Sequence, residues 1–249
     1  MSIDHPVYTF TTIIKITENH SASGFFFYEK DKLYLVTNKH VIYGKDFAQD
    51  RAQPKTKQVI IILHTDANNA TINEQLRIEL FDTDGKRKWL EHKDPTIDVI
   101  LIPITLGKKY IVNPLNRTFI EDAKNFVTLF EKIVIVGYPY GWYDEINNLP
   151  IIRVGHLSSP FKVGFKGNPW MVGDVITHPG MSGAPVLMHL VNPIRKDAEG
   201  KRSLSLETRF LLIGVYSGQF QIPYKKNERP NLVTIWFPET ILDILDNPN

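Results

Sequence analysis

The sequence predicts an all-β protein of two six-stranded antiparallel β-barrels with a closing C-terminal helix. Short β-branched and aromatic runs separated by turn residues dominate the chain. They fall into two groups on either side of a mixed, polar stretch at 107–126. The length of 249 residues is that of all-β chains that form one domain around a shared cleft.

The first group of runs covers 8–16, 24–28, 33–37, 59–64, 76–81 and 98–104, giving a first barrel over about 6–106. The second covers 132–137, 151–157, 171–176, 185–189, 210–217 and 232–237, giving a barrel over about 127–237. The linker between them, 107–126, suits a crossover with one helical turn around 121–125. Residues 238–246 read as a helix, with Pro238 at its first turn and Glu239 beside it. Its apolar Ile241, Leu242 and Leu245 share one face, expected to pack on the second barrel. Loops are expected at 46–57, at 191–203 with its Asn-Pro and Glu-Gly turns, and at 223–231. The whole of 1–249 reads as a single domain.

Composition narrows the function. The chain is 43% hydrophobic and 22% charged, with a formal charge of +2. Its basic pairs (Lys108-Lys109, Arg195-Lys196, Lys201-Arg202, Lys225-Lys226) are scattered and lack interleaved aromatic platforms, so no nucleic-acid partner is expected. No run approaches the roughly 18 apolar residues that span a bilayer, so no membrane association is expected either. There is no cysteine, and the first six residues lack a basic segment followed by an apolar one, which together point to the cytoplasm. No metal or organic cofactor is implied.

The chemistry is carried by Gly180-Met181-Ser182-Gly183-Ala184-Pro185-Val186, a serine between glycines at the mouth of an apolar strand. A serine hydroxyl needs a base to take its proton and donors for the oxyanion that follows. Gly180 lets the backbone turn so that the N–H groups of Gly180 and Ser182 can address one spot, and Gly183 removes a side chain beside the attacking oxygen. Upstream, the strand 33–37 runs through Asn38 and Lys39 to His40, the candidate base. Asp98 opens the otherwise apolar run 97–104. A lone carboxylate there is costly to bury without a hydrogen-bonded partner, which favours Asp98 over Asp94 as the group that orients His40. The order His, Asp, Ser is one known way to assemble a Ser-His-Asp triad. His178 lies too close to Ser182 in the same turn to serve as base and reads as a pocket wall.

With these residues the chain resembles the trypsin-like (chymotrypsin-fold) serine peptidases, most closely their bacterial HtrA-like branch. The resemblance rests on Ser23-Gly24-Phe25-Phe26-Phe27, Thr37-Asn38-Lys39-His40-Val41, Asp98-Val99-Ile100-Leu101, Gly137-Tyr138-Pro139-Tyr140-Gly141, the block 174–185 and Ile235-Trp236-Phe237-Pro238. Thr177 stands where the family's block has isoleucine, with the spacing from Asp174 to Ser182 kept. The resemblance implies a serine endopeptidase acting on protein or peptide substrates through an acyl-enzyme. It also implies that Ile176 sits at the base of the specificity pocket, favouring small to medium apolar residues; an ordinary core role for Ile176 stands beside that reading. Ser217-Gly218-Gln219 resembles the segment that pairs with substrate backbone as an added strand. Met181 replaces the aspartate by which secreted relatives couple chain cleavage to oxyanion-hole formation. Two alternatives remain: a latent peptidase that needs an activating or regulatory protein, and a non-cleaving binding module.

Overall fold

The computed structural model describes residues 2–3, 5–49, 52–121, 123, 131–191, 194–196, 202–204, 208–220 and 231–247. Most of the turn expected at 121–125 and of the loop expected at 223–231, and part of the loop at 191–203, lie outside these residues. The first half contains strands β1 (Thr11–Thr17), β2 (His20–Glu29) and β3 (Lys32–Thr37), helix α1 (Lys39–Tyr43), and strands β4 (Gln58–His64), β5 (Asn73–Glu79), β6 (Leu90–Glu91), β7 (Ile100–Ile104) and β8 (Leu115–Asn116). Helix α2 (Arg117–Glu121) leads on to β9 (Lys132–Gly137), β10 (Ile151–Leu157), β11 (Trp170–Asp174), β12 (Pro185–Val191), β13 (Ile194–Lys196), β14 (Arg202–Leu204), β15 (Thr208–Gln219), β16 (Leu232–Trp236) and helix α3 (Glu239–Asp246). Strands β13 and β14 pair as a short hairpin where the sequence reads as loop. No helix among the described residues is long and apolar enough to cross a membrane.

The second half is a closed six-stranded antiparallel barrel, in the order β10-β11-β16-β15-β12-β9. In the first half a closed barrel is not shown. Its strands form one sheet in the order β5-β4-β1-β2-β3-β7-β6, with β8 paired to β2, and no ladder joins the two ends among the described residues. After β5 the chain turns back, and a bridge between Phe81 and Arg87 and the Lys88 N–H bond to the Leu80 carbonyl at 2.9 Å tie the end of β5 to the lead-in of β6, which then adds Leu90 and Glu91 to β7. Strand β5 carries Glu74, Arg77 and Glu79 on its mostly uncovered length, the charged character that keeps a free edge from pairing further.

Alternation along the strands divides the core. In β2, Phe25 and Phe27 face a cluster shared by both halves, while Phe26 faces the interior of the first half. Leu101 and its neighbours Ile100 and Ile102 divide in the same way on β7. In the second half Leu187 joins the shared cluster, and Val186 and Met188 fill the barrel. Strands covered on both faces read as unbroken apolar runs. Strands β2 and β3 meet through Lys30 and Asp31, both at positive φ (49° and 61°), the backbone of a two-residue type I′ hairpin.

The closing helix corrects a second expectation. Ile241 and Ile244 are fully buried in the shared cluster, against β6 and β7 of the first half and not on the second barrel alone. Asp246 receives Lys30 at 3.0 Å and Arg117 at 3.8 Å, while Lys162 pairs with Glu239 from the other half. The helix therefore straps the two halves together. Replacing Ile244 with Ala is expected to cost about 2–5 kcal/mol in urea unfolding, and the half-buried Leu242→Ala less.

Candidate functional site

His40 lies in the short helix α1, not at a strand end as the sequence suggests. Asn38 before it is extended (φ −82°, ψ 149°), and Gly44 after it takes φ +85°, which stops the helix after one turn. Asp98 sits two residues before β7, and the pairing of Thr37 with Ile100 brings it beside His40. Its side chain is 4% exposed and well supplied with donors. Oδ2 lies 2.6 Å from His40 Nδ1 and accepts the Ser217 hydroxyl at 2.6 Å; Oδ1 accepts the His40 backbone N–H at 2.8 Å. Asn38 Nδ2 donates to the Asp98 carbonyl at 2.6 Å. Such donors are what a buried carboxylate requires. Asp94 instead accepts the backbone N–H and hydroxyl of Thr96, which hold its carboxyl below the usual carboxylate range in an exposed turn.

With Nδ1 facing Asp98, the ring presents Nε2 to Ser182, 2.9 Å from Oγ. Oγ also lies 3.1 Å from the Ser217 carbonyl, so its single proton has two competing acceptors. Gly180 and Gly183 have φ of +95° and +84°. A Cβ at Gly180 would collide with the Tyr138 carbonyl, and one at Gly183 with the Ser23 carbonyl and Thr37 hydroxyl. Only glycine fits either position. Neither the Gly180 nor the Ser182 N–H donates to a protein acceptor among the described residues. The Pro179 carbonyl accepts the Tyr140 N–H at 2.5 Å, and across a planar trans peptide this turns the Gly180 N–H the opposite way.

Ser23 ties this turn to the first half. Its N–H donates to the Ser182 carbonyl at 2.9 Å and its hydroxyl to the Gly180 carbonyl at 2.9 Å, while its Oγ accepts the Tyr138 N–H at 3.0 Å. Met181 is fully buried in the second barrel's core. Of the other sequence candidates, His178 stacks on Tyr140 with ring centroids 5.0 Å apart. Ile176 is 50% exposed, which excludes the core reading, and its carbonyl accepts Arg153 Nε at 2.8 Å. A register shift between Tyr216 and Gly218 aims Ser217 at Asp98 and Ser182. Gln219 Nε2 donates to the Thr177 carbonyl at 2.8 Å.

The Trypsin-like peptidase domain model matches residues 22–190. The chain belongs to that family. Among solved structures it is similar to Deg5 (17% identity, TM-score 0.50, 95% of this chain and 87% of that one covered). It is also similar to the inactive form of Rv3671c from M. tuberculosis H37Rv (14%, 0.49, 95% and 85%) and to the HtrA-type protease AlgW with tripeptide (16%, 0.49, 97% and 60%). No curated protein matches the chain. The likeness to Deg5 is one of fold.

A second buried charge group in this trypsin-like peptidase domain was not legible in the sequence. Lys39 Nζ pairs with Glu91 Oε2 at 2.8 Å, both side chains under one-tenth exposed. Glu91 Oε1 accepts the Tyr43 hydroxyl and the Trp89 indole N–H, each at 2.7 Å, and lies 3.3 Å from Arg87. Because Glu91 pairs with Ile100 on β7, the group fastens the His40 helix to the segment that carries Asp98. Burial pushes the Glu91 carboxyl up, but the bonds from Lys39, Tyr43 and Trp89 and the Lys39 charge outweigh it and hold the group below its ordinary 4.5. Burial and the bond to Glu91 push Tyr43 up to about 12.

A carboxyl depressed in the folded state stabilises fully above its unfolded value and loses that contribution as pH falls through the folded one. Removing one partner of a buried pair typically costs about 3–5 kcal/mol. Glu91→Gln is therefore expected to lower the melting temperature at pH 7. It should also flatten the wild type's loss of stability below about pH 4.5, read by thermal melts from pH 7 to 3. Parallel wild-type and variant curves would show that Glu91 does not titrate with folding.

Proposed function

We propose that this chain is a serine endopeptidase that hydrolyses peptide bonds of protein substrates, with Ser182 as nucleophile, His40 as base and Asp98 as orienting group. The observation that carries the reading is the unbroken relay from Asp98 Oδ2 through the imidazole to Ser182 Oγ, at 2.6 and 2.9 Å. A carboxylate already holding Nδ1–H leaves Nε2 as the acceptor, which is the tautomer that proton transfer from serine requires. As Oγ bonds to the scissile carbonyl carbon, its proton moves to Nε2, and the carbonyl π electrons go to oxygen. The imidazolium so formed is stabilised by Asp98 and then donates its Nε2 proton to the departing amine, leaving an acyl-serine. Water attacks the ester by the same route, with His40 again taking and returning a proton.

The oxyanion would be received by the N–H groups of Gly180 and Ser182. Support comes from the Tyr140 bond to the Pro179 carbonyl, which keeps that carbonyl from occupying the place of the Gly180 N–H. One such donor typically contributes on the order of 10² to 10³ in rate. Substrate backbone would pair with 217–219, and residues before the scissile bond would be small to medium and apolar.

A fluorophosphonate probe tests the reading directly. Labelling is expected in the wild type and lost in Ser182→Ala and His40→Ala. Asp98→Asn should lower turnover by about four orders of magnitude with the fold intact by circular dichroism. A well-folded protein that never labels, or a loss in Asp98→Asn below about tenfold, would overturn the triad.

A further inference from the structure

His64, at the end of β4, is a histidine that the catalytic relay does not use, and it is only 2% exposed. Its Nε2 lies 2.8 Å from the carbonyl of Asn147, in the segment between β9 and β10. A carbonyl only accepts, so Nε2 carries the hydrogen. The loop 142–150 is closed on itself by Asp144, whose backbone pairs with Leu149 and whose carboxylate accepts the Ile146 and Asn147 N–H groups at 3.1 Å. Next to Asn147, the buried Asn148 turns its Nδ2 to the Ile62 carbonyl at 3.4 Å. Tyr143 packs edge-on against Tyr138, with ring centroids 5.7 Å apart, in a cluster with Ile13 and Ile62. The loop is thus seated on β1 and β4 of the first half. Its leading end is the tight turn from Tyr138 to Trp142, where the Tyr140 N–H holds the Pro179 carbonyl and with it the direction of the Gly180 N–H.

We propose that His64 is a positioning residue for the oxyanion turn: its bond to Asn147 seats the loop 142–150 on the first half, and the seated loop holds Tyr140 where it fixes the Gly180 N–H. The inference rests on the peptidase reading and adds to it a group that touches neither substrate nor triad. Protonation opposes the seating. Nδ1 has no hydrogen-bond partner among the described residues, so an imidazolium would bring a charge and a second N–H into a buried site without an acceptor. Burial pushes the ring below its ordinary 6.5, against the raising effect of the Asn147 carbonyl. The charged groups on the surrounding elements are engaged elsewhere or exposed. Glu74 binds Lys109 and Tyr110, Asp66 the Asn68 N–H, Asp144 its own loop and Lys15 the ring of Tyr143, while Glu145 is exposed. A ring lowered in this way leaves docking untouched above about pH 6.5 and weakens it as pH falls through that value toward the folded one.

The test compares the wild type with His64→Ala and with His64→Gln, since glutamine keeps a donor near Nε2 and does not titrate. At pH 7.5, His64→Ala is expected to slow Ser182 labelling by a fluorophosphonate about tenfold or more, the value of one neutral hydrogen bond. His64→Gln should restore the rate. Hydrogen exchange of the 142–150 backbone, corrected for its intrinsic pH dependence, should accelerate in the wild type by about threefold or more from pH 7.5 to 5.5. In His64→Gln it should stay flat. If His64→Ala does not fold, the pH comparison between wild type and His64→Gln decides alone. Labelling of His64→Ala at the wild-type rate, or an acid response of the loop that survives in His64→Gln, would overturn the positioning role and leave the peptidase reading standing. A folded wild type that never labels would remove both.

Discussion

The geometry at Ser182 depends on how the two halves of the molecule are registered against each other. His40 and Asp98 belong to the first half, and Ser182 to the turn that leads into the closed barrel, so a contact of 2.9 Å must be kept across the boundary between the halves. The shared apolar cluster presses the halves together but is non-directional and cannot set such a distance. Ser23 supplies the direction. Fully buried on β2, it bonds Ser182, Gly180 and Tyr138 on the far side, and its carbonyl accepts the Thr37 hydroxyl on its own. Every polar group of one small residue is spent on alignment. A glycine here would keep the backbone bonds and lose the two that Oγ makes to the turn.

Helix α1 is held from two sides by buried charge. His40 faces Asp98, and Lys39, the preceding residue, faces Glu91. A helix of a single turn has no stability of its own. Here its orientation follows from two carboxylates fixed on adjacent parts of one sheet, Glu91 on β6 and Asp98 just ahead of β7. Both are ionic groups taken out of water, costly unless fully bonded. Asp98 has donors on both oxygens, and Glu91 has four partners. The cost of burying charge is thus met where it also fixes the imidazole.

Legibility in the sequence followed the range of the interactions. The strand runs, the glycines around Ser182 and the burial logic that selects Asp98 over Asp94 are local, and each could be reasoned from neighbouring residues. How the first sheet's two end strands meet was not, because it depends on where the turn at 80–89 sends the chain and not on the alternation within β5. The docking of α3 is legible only in part for a similar reason: its apolar face is clear, but the surface that receives Ile241 and Ile244 is built from distant strands of both halves. Lys39 and Glu91 each look like solvated charges until the β6–β7 pairing brings them together.

Met181 shows what kind of force keeps the turn in order. An ion pair at that position would depend on a second charged group and would lose strength when either partner changed protonation or location. A methionine fully inside the barrel core depends on neither. Burying such a side chain contributes about 1.5–3 kcal/mol, unscreened by salt and without a titrating group. The turn is then anchored on one side by apolar packing, on another by Ser23, and on a third by the Tyr140 bond to Pro179. All three anchors form with the fold itself, so the conformation of 179–183 is tied to the stability of the second barrel and to its seating on the first sheet. Loosening that seating would disturb the Gly180 N–H and the Ser182–His40 contact together, since Ser23 holds both Gly180 and Ser182.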